Sequence, residues 1–227
     1  MRFLIHAIPE REENIVKIMA SHALSCCKDI ELCIYTDDEH EGNLPAYLKS
    51  IDFIMGAAGI SEEELIWHLQ DDAMLLPNFW ERCKMYSQQY EDDLKAGPLY
   101  DIFCGFTSSA DYIPDRGWKA AGIGVLPEGM FYSFPCIGIP LWVSIEFAKW
   151  VRDESVHTSQ ELSWIWNKKY DDSLFQNYIC SRWDKELDGK LCIHNLPKCL
   201  VDHRDDLCGG SVVNPTATPN GRRARLK

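Results

Sequence analysis

An α/β domain built on a mostly parallel sheet, with some antiparallel additions, is the fold class this sequence predicts. Three observations lead there. Short apolar runs alternate with helix-length amphipathic stretches, the first three elements read strand, helix, strand, and polar clusters fall just after strands or open a helix. The 227 residues suffice for one domain with a sizeable core.

The elements follow in order. Phe3 to Ile8 is an apolar first strand, Ile15 to Leu24 carries apolar residues near the 3.6 spacing of a helix, and Ile30 to Tyr35 is a second strand. That strand runs into Thr36-Asp37-Asp38-Glu39, and the carboxyl ends of parallel strands are where such sheets place ligands. Pro45 to Ile51 reads as a short helix and Ile51-Asp52-Phe53-Ile54-Met55 as a further strand or its approach. Gly56, Gly59 and Ser61-Glu62-Glu63-Glu64 supply a turn and a helix cap with acidic residues in its first turn. Leu65-Ile66-Trp67 then leads through His68-Leu69-Gln70 into Asp71-Asp72.

Beyond the aspartates, Pro77 to Tyr90 reads as a long helix opened by proline, and Tyr100 to Phe106 as its partner strand. Residues 107–130 are glycine-rich and mixed, a composition of binding loops and of connectors alike. Cys136 to Pro140 is another strand, followed by an amphipathic helix through Trp150. Asp171-Asp172-Ser173 opens a helix running to about Trp183, and Leu191 to Val201 is the last ordered element, ending in Asp202-His203-Arg204. Residues 1–210 form one domain, and 211–227 are a tail containing proline and glycine that closes on a basic cluster.

Composition narrows the function classes. A formal net charge of −12 argues against a broad nucleic-acid-binding surface, the basic cluster Arg222-Arg223-Ala224-Arg225-Leu226-Lys227 excepted. No apolar run reaches the length of a transmembrane helix, and the opening Met1 to Pro9 is too short for a signal sequence and reads as a core strand. The ten cysteines are scattered through apolar runs without a CxxC pair, the pattern of reduced core thiols in a cytoplasmic protein. Cys192, His194 and Cys199 match no common zinc-finger spacing.

Asp71-Asp72 carries the strongest chemical signal. Two adjacent carboxylates at the mouth of a buried strand repel one another and lose hydration, and a divalent cation is the natural compensation. By contrast, Asp92-Asp93 lies at a polar helix end and reads as solvated surface. Alternation along the strand separates His68 from the Asp71 face, and it reads as a structural histidine.

Taken together, Thr36/Asp37/Asp38, Gln70/Asp71/Asp72, Asp171/Asp172 and His203/Arg204 resemble, in order and placement, the polar positions of GT-A-type glycosyltransferases. That resemblance implies a Rossmann-like sheet and a short acidic motif that binds Mn2+ or Mg2+ on the diphosphate of a nucleotide sugar, a UDP-sugar above all. Gln70-Asp71-Asp72 would stand in the place of that motif, and Gln70, where many members carry a carboxylate, leaves open which aspartate touches the metal. His203 matches the late histidine that many members add as a ligand, and Arg204 either braces the diphosphate or pairs with Asp205 or Asp206.

At the other strand ends, Arg11 either meets the donor phosphates or pairs with Glu12 or Glu13, and Asp37 either contacts the uracil or ribose or caps a loop. Asp172, or Asp171 beside it, either takes the acceptor proton as general base or caps its helix. Trp118, Trp142, Trp164 and Trp166 form a stacking wall or lie in the core. The acceptor is a glycan, a protein or a hydroxymethylated DNA base. Two alternatives stand beside this reading: a metal-dependent nucleotidyltransferase, which the lack of a glycine-rich loop at Pro9 to Glu13 disfavours, and a non-catalytic nucleotide- or sugar-binding module.

Overall fold

In the computed structural model, residues 1–97, 100–106, 135–153, 174–175, 178–179, 191–196 and 198–203 are described. The chain opens with β1 (Arg2–Ala7), a 3-10 turn (Pro9–Arg11), α1 (Glu12–Leu24) and β2 (Glu31–Thr36), the expected βαβ unit. It continues through α2 (Asn43–Met55), β3 (Leu65–Gln70), β4 (Ala73–Leu75), α3 (Phe79–Ala96) and β5 (Tyr100–Cys104). Next come β6 (Cys136–Pro140), α4 (Leu141–Arg152), β7 (Leu191–Asn195) and β8 (Val201–His203).

The six-stranded main sheet has the order β2-β1-β3-β6-β5-β7. Parallel pairing joins β1 to β2 and β3, and β5 to β7, while β6 runs against both of its neighbours. This is the mixed α/β architecture expected, mostly parallel with an antiparallel insertion. A second, two-stranded sheet pairs β4 with β8 in antiparallel register, Ala73 opposite His203.

The sheet buries both faces, so β3 is buried from Leu65 to Leu69, with His68 the one polar residue in that stretch. One face packs Leu4, Ile66, Ile137 and Ile139 with Tyr47 and Ile51 of α2 and Val143 and Phe147 of α4. On the other, Phe3, Ile5, Trp67 and Leu69 meet Ile15 and Ile18 of α1 and Phe79, Trp80 and Cys83 of α3. Trp67 is fully buried, donates its indole N–H to Ser87 Oγ at 2.9 Å, and lies opposite Gly138 of β6. A Cβ at Gly138 would stand 3.3 Å from the Trp67 ring, so glycine there makes room for the indole.

Several expectations need correction. Residues 51–55 are the end of α2 and not a strand: Leu44, Tyr47, Ile51 and Ile54 recur at helical spacing on one buried face. Ser61 to Glu64 caps no helix; it is a turn closed by Glu64 N–H to Ser61 C=O at 3.0 Å, leading directly into β3. α3 begins at Phe79, after Asn78 in the left-handed region at φ 60°, and extends past Tyr90 to Ala96. The last element, expected as one run from Leu191, is two strands in two different sheets.

Candidate functional site

β1, β2 and β3 end side by side, and the segments leaving them form a cluster of buried polar groups. The residue before a proline is restricted to extended backbone, and Ile8 at φ −121° turns the chain from β1 into the Pro9–Arg11 turn. That turn is closed by Arg11 N–H to Ile8 C=O at 3.1 Å, and it carries the Arg11 side chain back into the protein. Beyond the end of β3, the chain continues its parallel ladder for one more bond, Asp71 N–H to His6 C=O at 3.0 Å.

Four bonds fix Asp71. Its Oδ1 lies 2.6 Å from Arg11 Nη1, its Oδ2 accepts the Ile8 N–H at 2.8 Å, and its backbone carbonyl accepts from the Asn14 side-chain amide of α1. With the N–H bound to His6, the residue ties β1, the 3-10 turn and α1 to the end of β3. Asp72 Oδ2 stands 3.0 Å from the same Arg11 Nη1. The three residues are buried, Arg11 at 9% exposure, Asp71 at 4% and Asp72 at 6%.

Arg11 therefore pairs with the two aspartates across the sheet and not with its neighbours Glu12 and Glu13. Burial pushes the Asp71 carboxyl above the usual carboxylate range, with the Asp72 charge pushing the same way and the Arg11 guanidinium opposing both. Fully ionised, the three side chains still sum to one surplus negative charge.

Asp37 is also buried, at the end of β2, where its N–H continues the sheet to Ala7 C=O at 2.8 Å. Its Oδ2 accepts the N–H of Gly42 at 3.3 Å, holding the loop that enters α2; Gly42 has φ 98°, open to glycine at little cost. The structure thus gives Asp37 the loop-capping contact. Backbone pairing brings His203 opposite Ala73, the residue after Asp72, through a small sheet that the sequence does not announce. Asp171, Asp172 and Arg204 lie outside the described residues, as do Trp118, Trp164 and Trp166. Trp142 packs against the core on the α4 side.

Two features were missed in the sequence. Asn14 anchors Asp71, and no motif marks it. His6 and His68 form a second polar pair, Nε2 to Nδ1 at 3.1 Å, with rings stacked at 5.4 Å and both packed on Tyr47. Burial lowers His6 to about 4 and His68 well below its ordinary value, so both are neutral near pH 7. This pair lies on the α2 and α4 face, where alternation along β3 separates it from Asp71. His194 Nε2 lies 2.7 Å from Asp101 Oδ1, the Cys192 side chain lies outside what is described, and among the described residues no group of three His, Cys, Asp or Glu could hold a metal.

A hard divalent cation needs few protein ligands when the substrate's phosphate oxygens complete its shell, and one or two carboxylates then suffice. Asp72, in a cluster with a surplus negative charge, fits that requirement; Asp71, bonded at both carboxylate oxygens, fits it less well.

The site thus defines an α/β protein with a buried, arginine-bridged carboxylate pair at the carboxyl ends of β1 and β3. No family model and no curated protein matches the chain. Among solved structures, it is similar to a glycosyltransferase involved in the glycosylation of the major capsid of PBCV-1, at 12% identity and a TM-score of 0.43, covering 86% of this chain and 83% of that one. It is also similar to the galactosyltransferase LgtC in complex with donor and acceptor sugar analogs, at 12% identity and a TM-score of 0.41, covering 85% of this chain and 73% of the other.

Proposed function

We propose that this protein is a divalent-metal-dependent glycosyltransferase, a hexosyl- or pentosyltransferase moving a sugar from a nucleoside-diphosphate sugar, most simply a UDP-sugar, to an acceptor hydroxyl. The observation that carries the reading is the buried Asp71–Asp72 pair at the end of β3, beside the ends of β1 and β2. Asp72 holds Mn2+ or Mg2+, with Asp71 behind it and His203, whose backbone lies opposite Ala73, as the further ligand. When bound, the cation supplies neutralisation of the charge that grows on the departing diphosphate.

The chain's own residues do the rest. Arg11 presents a guanidinium where the diphosphate arrives, Arg204 braces it, and Asp37 orders the loop beside the nucleoside. Asp172, or Asp171, receives the proton of the acceptor hydroxyl if the stereochemistry inverts, and positions the acceptor if it is retained. The acceptor is a glycan, a protein or a hydroxymethylated DNA base. The buried free thiols Cys83, Cys104 and Cys136 support a cytoplasmic location. Among the described residues, no helix is long and apolar enough to cross a membrane.

The test is hydrolysis of a panel of nucleotide sugars with and without Mn2+. Metal-dependent release of the nucleotide, lost in Asp72→Ala, is expected. One observation favours a second reading, a non-catalytic nucleotide-binding module: Arg11 supplies an internal counter-charge to both carboxylates. UDP binding without turnover of any donor would select it.

A further inference from the structure

One nitrogen, Arg11 Nη1, serves both carboxylates, and it does so unequally. It stands 2.6 Å from Asp71 and 3.0 Å from Asp72. Asp71 is held on its other oxygen by the Ile8 N–H, and on its backbone by His6 and Asn14, so it cannot follow the guanidinium without loosening β1 from β3. The closer partner is the immobile one. Arg11 itself is attached through a short 3-10 turn closed by Arg11 N–H to Ile8 C=O at 3.1 Å.

From this asymmetry we infer that Arg11 is a positioning residue that competes with the cation: it covers Asp72 in the unliganded protein, and an arriving diphosphate draws the guanidinium from Asp72 while Asp71 keeps hold of it. The inference rests on the proposed metal and diphosphate site. Three ionised side chains with one surplus negative charge can take a divalent cation, but only against the repulsion of a guanidinium bonded to the same carboxylate. An anionic diphosphate relieves that repulsion by offering Arg11 a partner of its own, and leaves Asp72 to the metal. The protein therefore binds the cation alone weakly, and binds it well only with the diphosphate. That order keeps a bare metal from occupying the site before the donor arrives.

The pair of contacts also assigns the two aspartates different work. Asp71 places Arg11 and Asp72 meets the ligand, although both stand in the same acidic motif.

The test titrates Mn2+ alone, followed by the electron paramagnetic resonance of the free ion, and UDP by calorimetry in the presence of Mn2+. Wild type, Arg11→Met, Arg11→Lys and Asp72→Ala are compared. Arg11→Met is expected to bind Mn2+ alone roughly tenfold more tightly than wild type, because a positive charge has left a largely buried site, and to bind UDP with Mn2+ more weakly. Arg11→Lys keeps the charge and is expected to bind Mn2+ alone as weakly as wild type; it also stands in as the folded variant if Arg11→Met does not fold, since a merely structural role for Arg11 would make it bind differently from wild type. Should Mn2+ with UDP bind wild type and not Asp72→Ala, while Arg11→Met binds Mn2+ alone no better than wild type, the competition is overturned and the metal site stands. Mn2+ binding to none of the proteins, with or without UDP, overturns both.

Discussion

β1 and β3 bury two polar pairs within a few residues of each other, and the pairs solve the cost of burial in opposite ways. His6 and His68 give up their charge: desolvation takes both far below the ordinary histidine value, and they share a hydrogen bond as neutral rings between helices α2 and α4. Asp71 and Asp72 meet a guanidinium instead, that of Arg11, which leaves the same carboxyl end of β1 that β3 reaches beside it. The neutral pair carries no charge into the core, although the buried Nε2 of His68 has no hydrogen-bond partner among the described residues. The carboxylate pair keeps a surplus charge, and a residue that retains charge at a strand end is equipped to meet a ligand. The contrast separates burial by loss of charge from burial beside a counter-charge on two neighbouring strands.

The largest effect should come from removing the shared cation. Arg11→Ala takes the guanidinium from two buried carboxylates at once and is expected to cost about 3–5 kcal/mol of stability, read from the urea midpoint. A loss below about 1 kcal/mol would mean that the aspartates hold no real charge in the folded protein.

The histidine pair should show itself in pH. A base whose folded value is depressed binds its proton only in the unfolded chain, here between about 4 and 6.5 for His6, so stability is present above pH 6.5 and is lost as pH falls toward 4. For His6 the loss is about 3 kcal/mol, and His68 adds in the same direction. The double variant His6→Phe with His68→Leu should flatten this part of the profile, measured by denaturation at a series of pH values. An unchanged slope would place the acid sensitivity elsewhere.

Smaller effects divide the two aspartates. Asp71→Asn breaks the ion pair that ties the 3-10 turn to β3 and should cost about 2 kcal/mol, while Asp72→Asn, removing the longer contact, should cost less than about 1 kcal/mol. Equal losses would remove the distinction between a clamp and a ligand-facing residue.

Much of the sheet was legible because its strands carry short apolar runs, and β1, β2 and β6 fall within a residue or two of where pattern places them. Residues 51–55 were not, since a short run rich in isoleucine and phenylalanine fits a strand as well as a helix end, and only the buried face of the whole of α2 decides it. β4 and β8 were invisible for another reason: three residues carry no period, and their pairing joins Ala73 to a position far along the chain. In the site, the adjacent charges of Asp71 and Asp72 marked two carboxylates that the structure buries beside Arg11. What sequence could not reveal was the partner. The sequence argument named a divalent cation as the compensation, whereas the counter-charge the structure shows is Arg11, brought across from the end of another strand, and Asn14 acts through a backbone carbonyl that no side-chain motif records.

The central claim is that Asp72 is the residue through which a cation and a diphosphate are bound together. Calorimetry of UDP binding with and without Mn2+, on wild type and Asp72→Ala side by side, tests it most directly. UDP should bind wild type at least tenfold more tightly with Mn2+ than without, a difference of about 1.4 kcal/mol or more, and Asp72→Ala should lose that difference while retaining its fold. Equal dependence on Mn2+ in the two proteins, or none in wild type, would contradict the account.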